Sequence, residues 1–177
     1  MVLETNRIIL RNFNEQDLDH LFEYAQVEEV GLNAGWMPHN TKEESKLILN
    51  MFINSANTFA IVYKKNNKVI GSISLEKDHI RPGVNSKYLG YVLSKDYWGL
   101  GLMTECVKKI LEYGFFTLNL DIITVSHFKE NIRSKRVIEK CGFVYEGTLR
   151  KSSLLYNGTL RDKCLYSLDK IEFINNN

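Results

Sequence analysis

Cysteine, proline and net charge are all scarce in this sequence, and each scarcity excludes a class of protein. The 177 residues include only two prolines and three cysteines, at positions 106, 141 and 164. No Cys-x-x-Cys or His/Cys cluster occurs, so no metal site is expected. Sparse, odd-numbered cysteines are typical of a reducing compartment. The net charge of +2 argues against a large nucleic-acid surface.

Long apolar runs are also absent. No stretch reaches the ~20 residues that a membrane-spanning helix needs. The opening, "MVLETNRIILRNF", carries charges inside its apolar positions and does not resemble a secretory signal. We therefore expect a cytoplasmic protein that binds neither membranes nor nucleic acid. Its 44% hydrophobic and 25% charged content is typical of one globular domain, here residues 1–177.

Hydrophobic periodicity predicts a mixed α/β fold. The predicted helices are residues 14–26, 41–56, 102–116 and 131–141, the last ended by Gly142. The predicted strands are residues 7–13, the two sides of the "KNNK" turn, residues 86–94 and 121–128, and the two sides of the "YNGT" turn.

The stretch "DYWGLGLMTEC" places two glycines directly before a predicted helix. Glycine lets a ligand approach the backbone closely. The first turn of a helix leaves amide N–H groups unpaired, and the helix dipole adds partial positive charge there. A strand, the glycines at 99 and 101 and a helix from Leu102 therefore predict an anion site suited to phosphate. The spacing alone is equally compatible with a structural turn.

Several short motifs occur in a fixed order along the chain. They are "LETNRIILRNF" at the start, "GY" at 90–91, "YWGLG" followed by "TE", Asn131 with Ser134 and "VIEKCGF", "EG" at 146–147, and "YNG" at 156–158. Together they resemble the GNAT family of acetyl-CoA-dependent N-acetyltransferases, and especially its ribosomal-protein N-terminal acetyltransferase branch. Trp98 and Met103 depart from the general loop pattern. The resemblance covers residues 3 to about 170.

The resemblance implies the GNAT acyl-CoA N-acyltransferase fold and names the cofactor site. The fold is a central, mostly antiparallel sheet of about six to seven strands with flanking helices and a V-shaped splay between residues 86–94 and 121–128. Acetyl-CoA is the expected co-substrate, without a metal. Its expected contacts are Tyr91, Val92, Leu93, Trp98, Gly99, Leu100, Gly101, Leu102, Met103, Thr104 and Asn131. The basic residues 133, 135 and 136 are further candidates for the 3′-phosphate.

Ser134 and Asn131 are the expected catalytic residues. Many family members carry a tyrosine acid at the position of Ile138 here, so Ser134 is the candidate that hydrogen-bonds to the leaving sulfur. Asn131 matches a position that contacts the cofactor near its thioester. By the same resemblance, a backbone N–H near Leu93 meets the oxyanion. A serine that only caps its helix is the structural alternative.

The general base is left open by the sequence. The two positions where relatives carry a glutamate are Tyr88 and Ser153 here. Glu76, His79 and Glu105 remain, and about a tenth of an α-amine with a pKa of ~8 is already neutral at pH 7. The hypothesis from sequence is that an ordered water takes the proton, with Glu76 as the strongest rival.

These features predict an enzyme that transfers an acetyl group from acetyl-CoA directly to a primary amine. The acceptor is either a protein N-terminal amine or a small-molecule amine, and the protein is a monomer or a homodimer. A non-catalytic acyl-CoA-binding regulatory module is the alternative, because both usual carboxylates are missing. An acyl-cysteine role for Cys106 is disfavoured, since the family transfers directly.

Overall fold

The computed structural model describes residues 2–175 and contains one sheet of eight strands in that range. The strands are β1 (Val2–Glu4), β2 (Ile8–Arg11), β3 (Thr58–Tyr63), β4 (Lys68–Lys77), β5 (Ser86–Leu93), β6 (Ile122–Phe128), β7 (Val144–Leu154) and β8 (Leu160–Asp169). The helices are α1 (Leu18–Ala25), α2 (Glu28–Ala34), α3 (Lys42–Asn54), α4 (Leu102–Glu112), α5 (Ile132–Lys140) and α6 (Lys170–Asn175). Within residues 2–175, every helix is too short or too polar to cross a bilayer.

The strand order is β1-β2-β3-β4-β5-β6-β8-β7, and every neighbouring pair is antiparallel except β5 and β6. The predicted mixed α/β class and the mostly antiparallel sheet are therefore confirmed. The strand β1 at the edge brings the number above the six to seven expected. Its three residues are too short to give a periodic sequence signal.

The helices cover the two faces of the sheet and create two apolar clusters. One cluster joins α4 and α5 to the face of β5 that carries Leu89, Tyr91 and Leu93. The other joins α1, α2 and α3 to the opposite face, where Val92 packs. Because successive strand residues point to opposite faces, β5 contributes to both clusters.

Two helical segments differ from the sequence prediction. The helix expected at 14–26 begins as a 3-10 turn at Glu15–Asp17, because the Asn14 side chain accepts from the Gln16 amide and the Asp17 carboxylate accepts from the Asn14 amide. The segment "EEVGLNA" forms α2, although it includes glycine and asparagine, which are poor helix formers. Tertiary packing against the second cluster overrides that local preference.

Two helices, α4 beside the glycine loop and α5 after β6, lie close to their predicted positions. α4 ends at Glu112 and continues as a π-helical turn, Tyr113–Thr117, within the predicted 102–116 segment. α5 ends at Lys140 with Cys141 as its C-cap, and Gly142 follows with a φ of 84°, the left-handed conformation expected of a helix-terminating glycine.

Candidate active site

The cleft of the molecule opens where β5 and β6 separate. Their parallel pairing ends at Leu89 with Val125. β5 continues along β4 to Leu93, and β6 continues along β8 to Phe128, so each strand stays held by its outer neighbour. The inner edge of β5 beyond Leu89 therefore faces the gap, which confirms the V-shaped splay. The cleft that contains this gap has a volume of about 850 Å³.

The glycine loop meets one end of the cleft. Gly99 and Gly101 have φ values of 79° and 76°, a left-handed conformation that side chains rarely adopt. A Cβ at Gly99 would meet nothing within 4 Å, and one at Gly101 would meet only Arg7 Nη2 at 3.7 Å. Gly101 is the N-cap residue of α4, and no side chain caps the helix there. The loop is therefore a bare backbone surface at a helix N-terminus, which fits a pyrophosphate.

Side chains from the turn between β1 and β2 hold this loop. The Arg7 guanidinium donates to the Leu100 carbonyl at 3.1 Å and to Glu105 Oε2 at 2.8 Å, and the Arg7 amide donates to Glu105 Oε1 at 3.0 Å. The Thr5 hydroxyl also donates to Glu105. Burial opposes ionisation of Glu105, but the hydrogen bonds from Thr5 and Arg7 and the Arg7 charge outweigh it and lower its pKa. Glu105 is thus a structural group rather than a free base.

Trp98 links the end of β5 to α5. Its indole N–H donates to the Leu93 carbonyl at 2.9 Å, and the Arg133 guanidinium lies 4.6 Å above its ring. Both side chains line the cleft. The departure from the usual family residue at position 98 therefore supplies a fixed aromatic wall between the glycine loop and the basic helix.

All but one of the expected cofactor residues line the cleft. The residues brought together there are Tyr91, Val92, Leu93, Trp98, Gly99, Gly101, Leu102, Met103, Thr104 and Asn131. Leu100 does not line it: its side chain is exposed and its carbonyl is held by Arg7. Leu102 and Met103 point their side chains into the core, so they offer the cleft only their backbone.

One face of α5 is basic. Arg133, Arg136 and Lys140 line the cleft at spacings of three and four residues, which place them on the same side of the helix. Lys135 lies outside the lining, and its ammonium is 3.7 Å from the Glu139 carboxylate. Of the candidates at 133, 135 and 136, the structure thus brings the first and third to the cleft and adds Lys140.

Asn131 and Ser134 stand at the start of α5. Asn131 caps the helix, because its Oδ1 accepts from the Ser134 amide at 3.1 Å. The Ser134 hydroxyl lies 2.7 Å from the Tyr91 hydroxyl, across the cleft on β5. Burial raises the pKa of Tyr91 far above its ordinary value even though the contact with Ser134 lowers it, so the phenol is neutral. Tyr91 was expected from the sequence as a cofactor contact, but its side-chain contact with Ser134 was not predicted.

The three candidate bases occupy very different places. Glu76 lines the cleft on β4, directly opposite Tyr88 in the strand register, and accepts from the Thr58 hydroxyl at 3.1 Å. His79 is exposed and outside the lining. Glu105 is held by the turn between β1 and β2. Only Glu76 of the three is placed to meet an acceptor.

The positions where relatives carry a glutamate also face the cleft. Tyr88 hydrogen-bonds to the Ser126 hydroxyl across the vertex of the splay, and burial raises the pKa of Tyr88. Ser153 of β7 lines the same cleft. Both positions therefore lie beside the cleft and carry hydroxyl groups in this chain.

His127 is a cleft residue that the sequence analysis did not single out. It is buried on β6, with Nδ1 2.8 Å from the Phe128 carbonyl and Nε2 3.4 Å from the Tyr166 hydroxyl. A carbonyl only accepts, so Nδ1 carries the proton in this contact. Strand alternation in "DIITVSHF" would have placed this residue on the α5 face.

The buried cysteines Cys106 and Cys141 lie away from the cleft. Burial raises the pKa of both Cys106 and Cys141, and neither lines the cleft. A thiol of this kind is a poor nucleophile. Among residues 2–175, no group of three or more His, Cys, Asp or Glu side chains could hold a metal ion.

Three features together define an acetyl-CoA-dependent N-acetyltransferase: a parallel strand pair that separates at the cleft, a glycine loop with an exposed backbone at the start of a helix, and a basic helix. The chain belongs to the GNAT family, since the family model described as "Acetyltransferase (GNAT) domain" matches residues 7–144. The resemblance inferred from the motifs is confirmed, and acetyl-CoA is the co-substrate.

Named relatives and a solved structure agree with this family. The uncharacterized N-acetyltransferase p20 of Bacillus licheniformis is 30% identical over 153 residues, covering 84% of this chain and 85% of that protein. The ribosomal protein uS5-alanine N-acetyltransferase of Escherichia coli K12 is 25% identical over 177 residues, covering 94% and 89%. The crystal structure of a GNAT-family acetyltransferase from Bacillus anthracis matches with a TM-score of 0.86 and 25% identity, covering 96% and 98%.

Proposed function

We propose that this N-acetyltransferase acts on the N-terminal amine of a protein or peptide. The observation that carries the proposal is the charge of the cleft: Glu76 is the only carboxylate that lines it within residues 2–175. A polyamine carries several ammonium groups and would need several carboxylates to match them. A peptide N-terminus brings one amine, followed by polar backbone groups.

The groove beside Glu76 suits such a backbone. Hydroxyl groups of Thr58, Ser72, Ser74 and Ser126 line this part of the cleft, and each can donate or accept a hydrogen bond. A relative over most of the chain is named as an alanine N-acetyltransferase of a ribosomal protein, which agrees with a peptide acceptor.

In the mechanism that we propose for this reaction, acetyl-CoA supplies an activated acetyl group. The amides at 99–104 hold its pyrophosphate, the β5 edge at 91–93 pairs with its pantetheine arm, and Asn131 holds the start of α5 near the thioester. Glu76 accepts the proton of the acceptor amine in place of the water that the sequence analysis favoured, because the carboxylate lines the groove. Ser134 hydrogen-bonds to the departing sulfur.

A panel of acceptors tests this function. Release of free thiol from acetyl-CoA is measured with an Ala-initiated peptide, the same peptide blocked at its N-terminus, and spermidine. We expect at least about tenfold higher kcat/KM, about 1.4 kcal/mol, for the free peptide than for spermidine, and no turnover of the blocked peptide. A preference for spermidine would contradict the peptide acceptor. Binding of acetyl-CoA without thiol release from any acceptor would favour the non-catalytic module instead.

A further inference from the structure

The contact between β5 and α5 joins two partly buried hydroxyl groups. The Tyr91 hydroxyl lies 2.7 Å from Ser134 Oγ and 3.3 Å from the Ser134 carbonyl oxygen. Both residues line the cleft, and the Tyr91 side chain also packs on the apolar cluster beneath α4 and α5. A hydroxyl in such a place takes part in a hydrogen bond, because leaving it unpaired is costly.

The direction of this hydrogen bond decides what Ser134 can do. A serine hydroxyl has one proton and can accept as well as donate. The phenol can donate to either Ser134 oxygen, but Oγ is the nearer by 0.6 Å, the difference between the two distances. When Tyr91 donates to Oγ, the serine proton is free for a third group. When Ser134 donates to Tyr91 instead, that proton is consumed inside the pair.

We propose that Tyr91 is a positioning residue whose phenol donates to Ser134 Oγ and thereby turns the serine proton toward the leaving sulfur. The inference rests on the proposed role of Ser134. In the reaction the amine nitrogen forms a bond to the acetyl carbon, the carbon–sulfur bond breaks with its electron pair on sulfur, and the amine proton leaves to the base. The serine hydrogen bond meets the charge that develops on sulfur. Tyr91 itself loses no proton.

Two observations support these separate roles for Tyr91 and Ser134. Ser134 carries the one hydroxyl group on α5, and Ile138, one turn later, is fully buried in the core. The hydroxyl group that meets Ser134 therefore comes from β5, on the opposite wall of the cleft. Asn131 Oδ1 contacts the backbone of Ser134, accepting from its amide at 3.1 Å, whereas the Tyr91 hydroxyl contacts the Ser134 hydroxyl itself at 2.7 Å.

Titration of the CoA thiol bound to the protein tests the proposal without turnover. The ultraviolet absorbance of the thiolate is followed against pH, with the complex of desulfo-CoA as the blank so that protein tyrosines and cysteines cancel. A donated hydrogen bond stabilises the thiolate and lowers the thiol pKa. We expect Tyr91→Phe and Ser134→Ala each to raise it by about half a pH unit or more. The double variant should shift it no further than Ser134→Ala.

Tyr145→Phe is the matched control. Tyr145 also hydrogen-bonds to a hydroxyl at 2.7 Å, that of Thr148, but lies outside the cleft. The Tyr145→Phe substitution should leave the pKa of the bound CoA thiol unchanged. Calorimetric affinity for CoA and a thermal melt establish that each variant is folded, and Tyr91→Leu provides a second variant without the hydroxyl.

Kinetics supply the second readout. Tyr91→Phe should lower kcat by about tenfold with little change in the KM for acetyl-CoA, and it should cost nothing further in the Ser134→Ala background. An unchanged thiol pKa in Tyr91→Phe, or additive losses in the double variant, would overturn the inference while leaving acetyl transfer intact. If wild type releases no thiol from any acceptor, the proposed function fails, and the thiol titration still decides whether Tyr91 acts through Ser134.

Discussion

The two faces of the sheet contribute different chemical groups to the cleft that opens between β5 and β6. On the α4 and α5 face, the cleft is built from backbone amides, the bare glycine loop and one basic helix face. On the α1 to α3 face, it is built from side chains, with Glu76, several hydroxyls and the rings of Trp36 and Phe52. A co-substrate common to a whole family can be held by backbone geometry. An acceptor that differs between members has to be recognised by side chains.

Among the variants that test this comparison, Glu76→Gln is expected to have the largest effect on turnover. The amide keeps the shape of the side chain but accepts a proton poorly. We expect kcat with a peptide acceptor to fall by about 10²-fold, at the lower end of what a general base contributes, while the affinity for acetyl-CoA stays unchanged. Steady-state kinetics and calorimetry measure the two quantities.

His79→Ala is the control for that variant. His79 was the second rival from sequence, but it lies outside the cleft lining, so its loss should leave kcat unchanged. A loss below about tenfold in Glu76→Gln would reject Glu76 as the base and return the role to water. A loss of acetyl-CoA affinity would show that the two faces are not independent.

Gly101→Pro tests co-substrate binding on the α4 and α5 face of the sheet. Proline fixes φ near −65° and has no N–H, whereas Gly101 has a φ of 76° at the start of α4. We expect the dissociation constant for acetyl-CoA to rise at least about tenfold, or 1.4 kcal/mol. Calorimetry on protein that passes a thermal melt measures it.

Gly83→Pro separates backbone strain from binding. Gly83 has a φ of 82° and nothing within 4 Å of a Cβ, but it lies in a loop outside the cleft. It should destabilise the fold without weakening acetyl-CoA binding. An unchanged dissociation constant in folded Gly101→Pro would contradict the anion site.

The difference between the faces also explains what could be predicted from sequence. The glycine loop, the Asn131 and Ser134 pair and the strand at 91–93 are local spacings, and each was recognised as a motif. Tyr91 meets Ser134 across a sequence separation of 43 residues. No local pattern encodes such a contact, because it exists only once β5 and α5 have packed.

The same reasoning applies to the fold. Long periodic segments such as α3 and α4 were predicted because each buries one face. The short β1, α2 and α6 were missed, because three to seven residues carry too little pattern to outweigh local propensity. Their positions are set by the sheet edge and by neighbouring helices.

A smaller effect is expected from the basic face of α5. Arg136→Ala should weaken binding of CoA by about threefold to tenfold, because one exposed guanidinium attracts a phosphate only modestly through water. The loss should disappear with 3′-dephospho-CoA, which lacks the phosphate in question. Lys135→Ala, which removes a side chain outside the cleft, should change neither affinity. An equal loss with both ligands would assign Arg136 to a different part of the co-substrate.

The smallest change in turnover is predicted for Glu105→Gln, whose expected effect is on stability. The Glu105 carboxylate gathers hydrogen bonds from Thr5 and Arg7, and its pKa is lowered because these bonds outweigh the cost of burial. A carboxylate with a depressed pKa stabilises the fold above its unfolded value of about 4.3, and this contribution is lost as pH falls through the folded value. Glu105→Gln should therefore lower the free energy of unfolding at pH 7 by about 1 to 2 kcal/mol. Denaturant melts of both proteins from neutral pH down to about pH 3 should show the difference shrinking with acidity. A difference independent of pH would mean that the loss comes from hydrogen bonds that the amide NH2 group cannot accept, and not from the charge of the carboxylate.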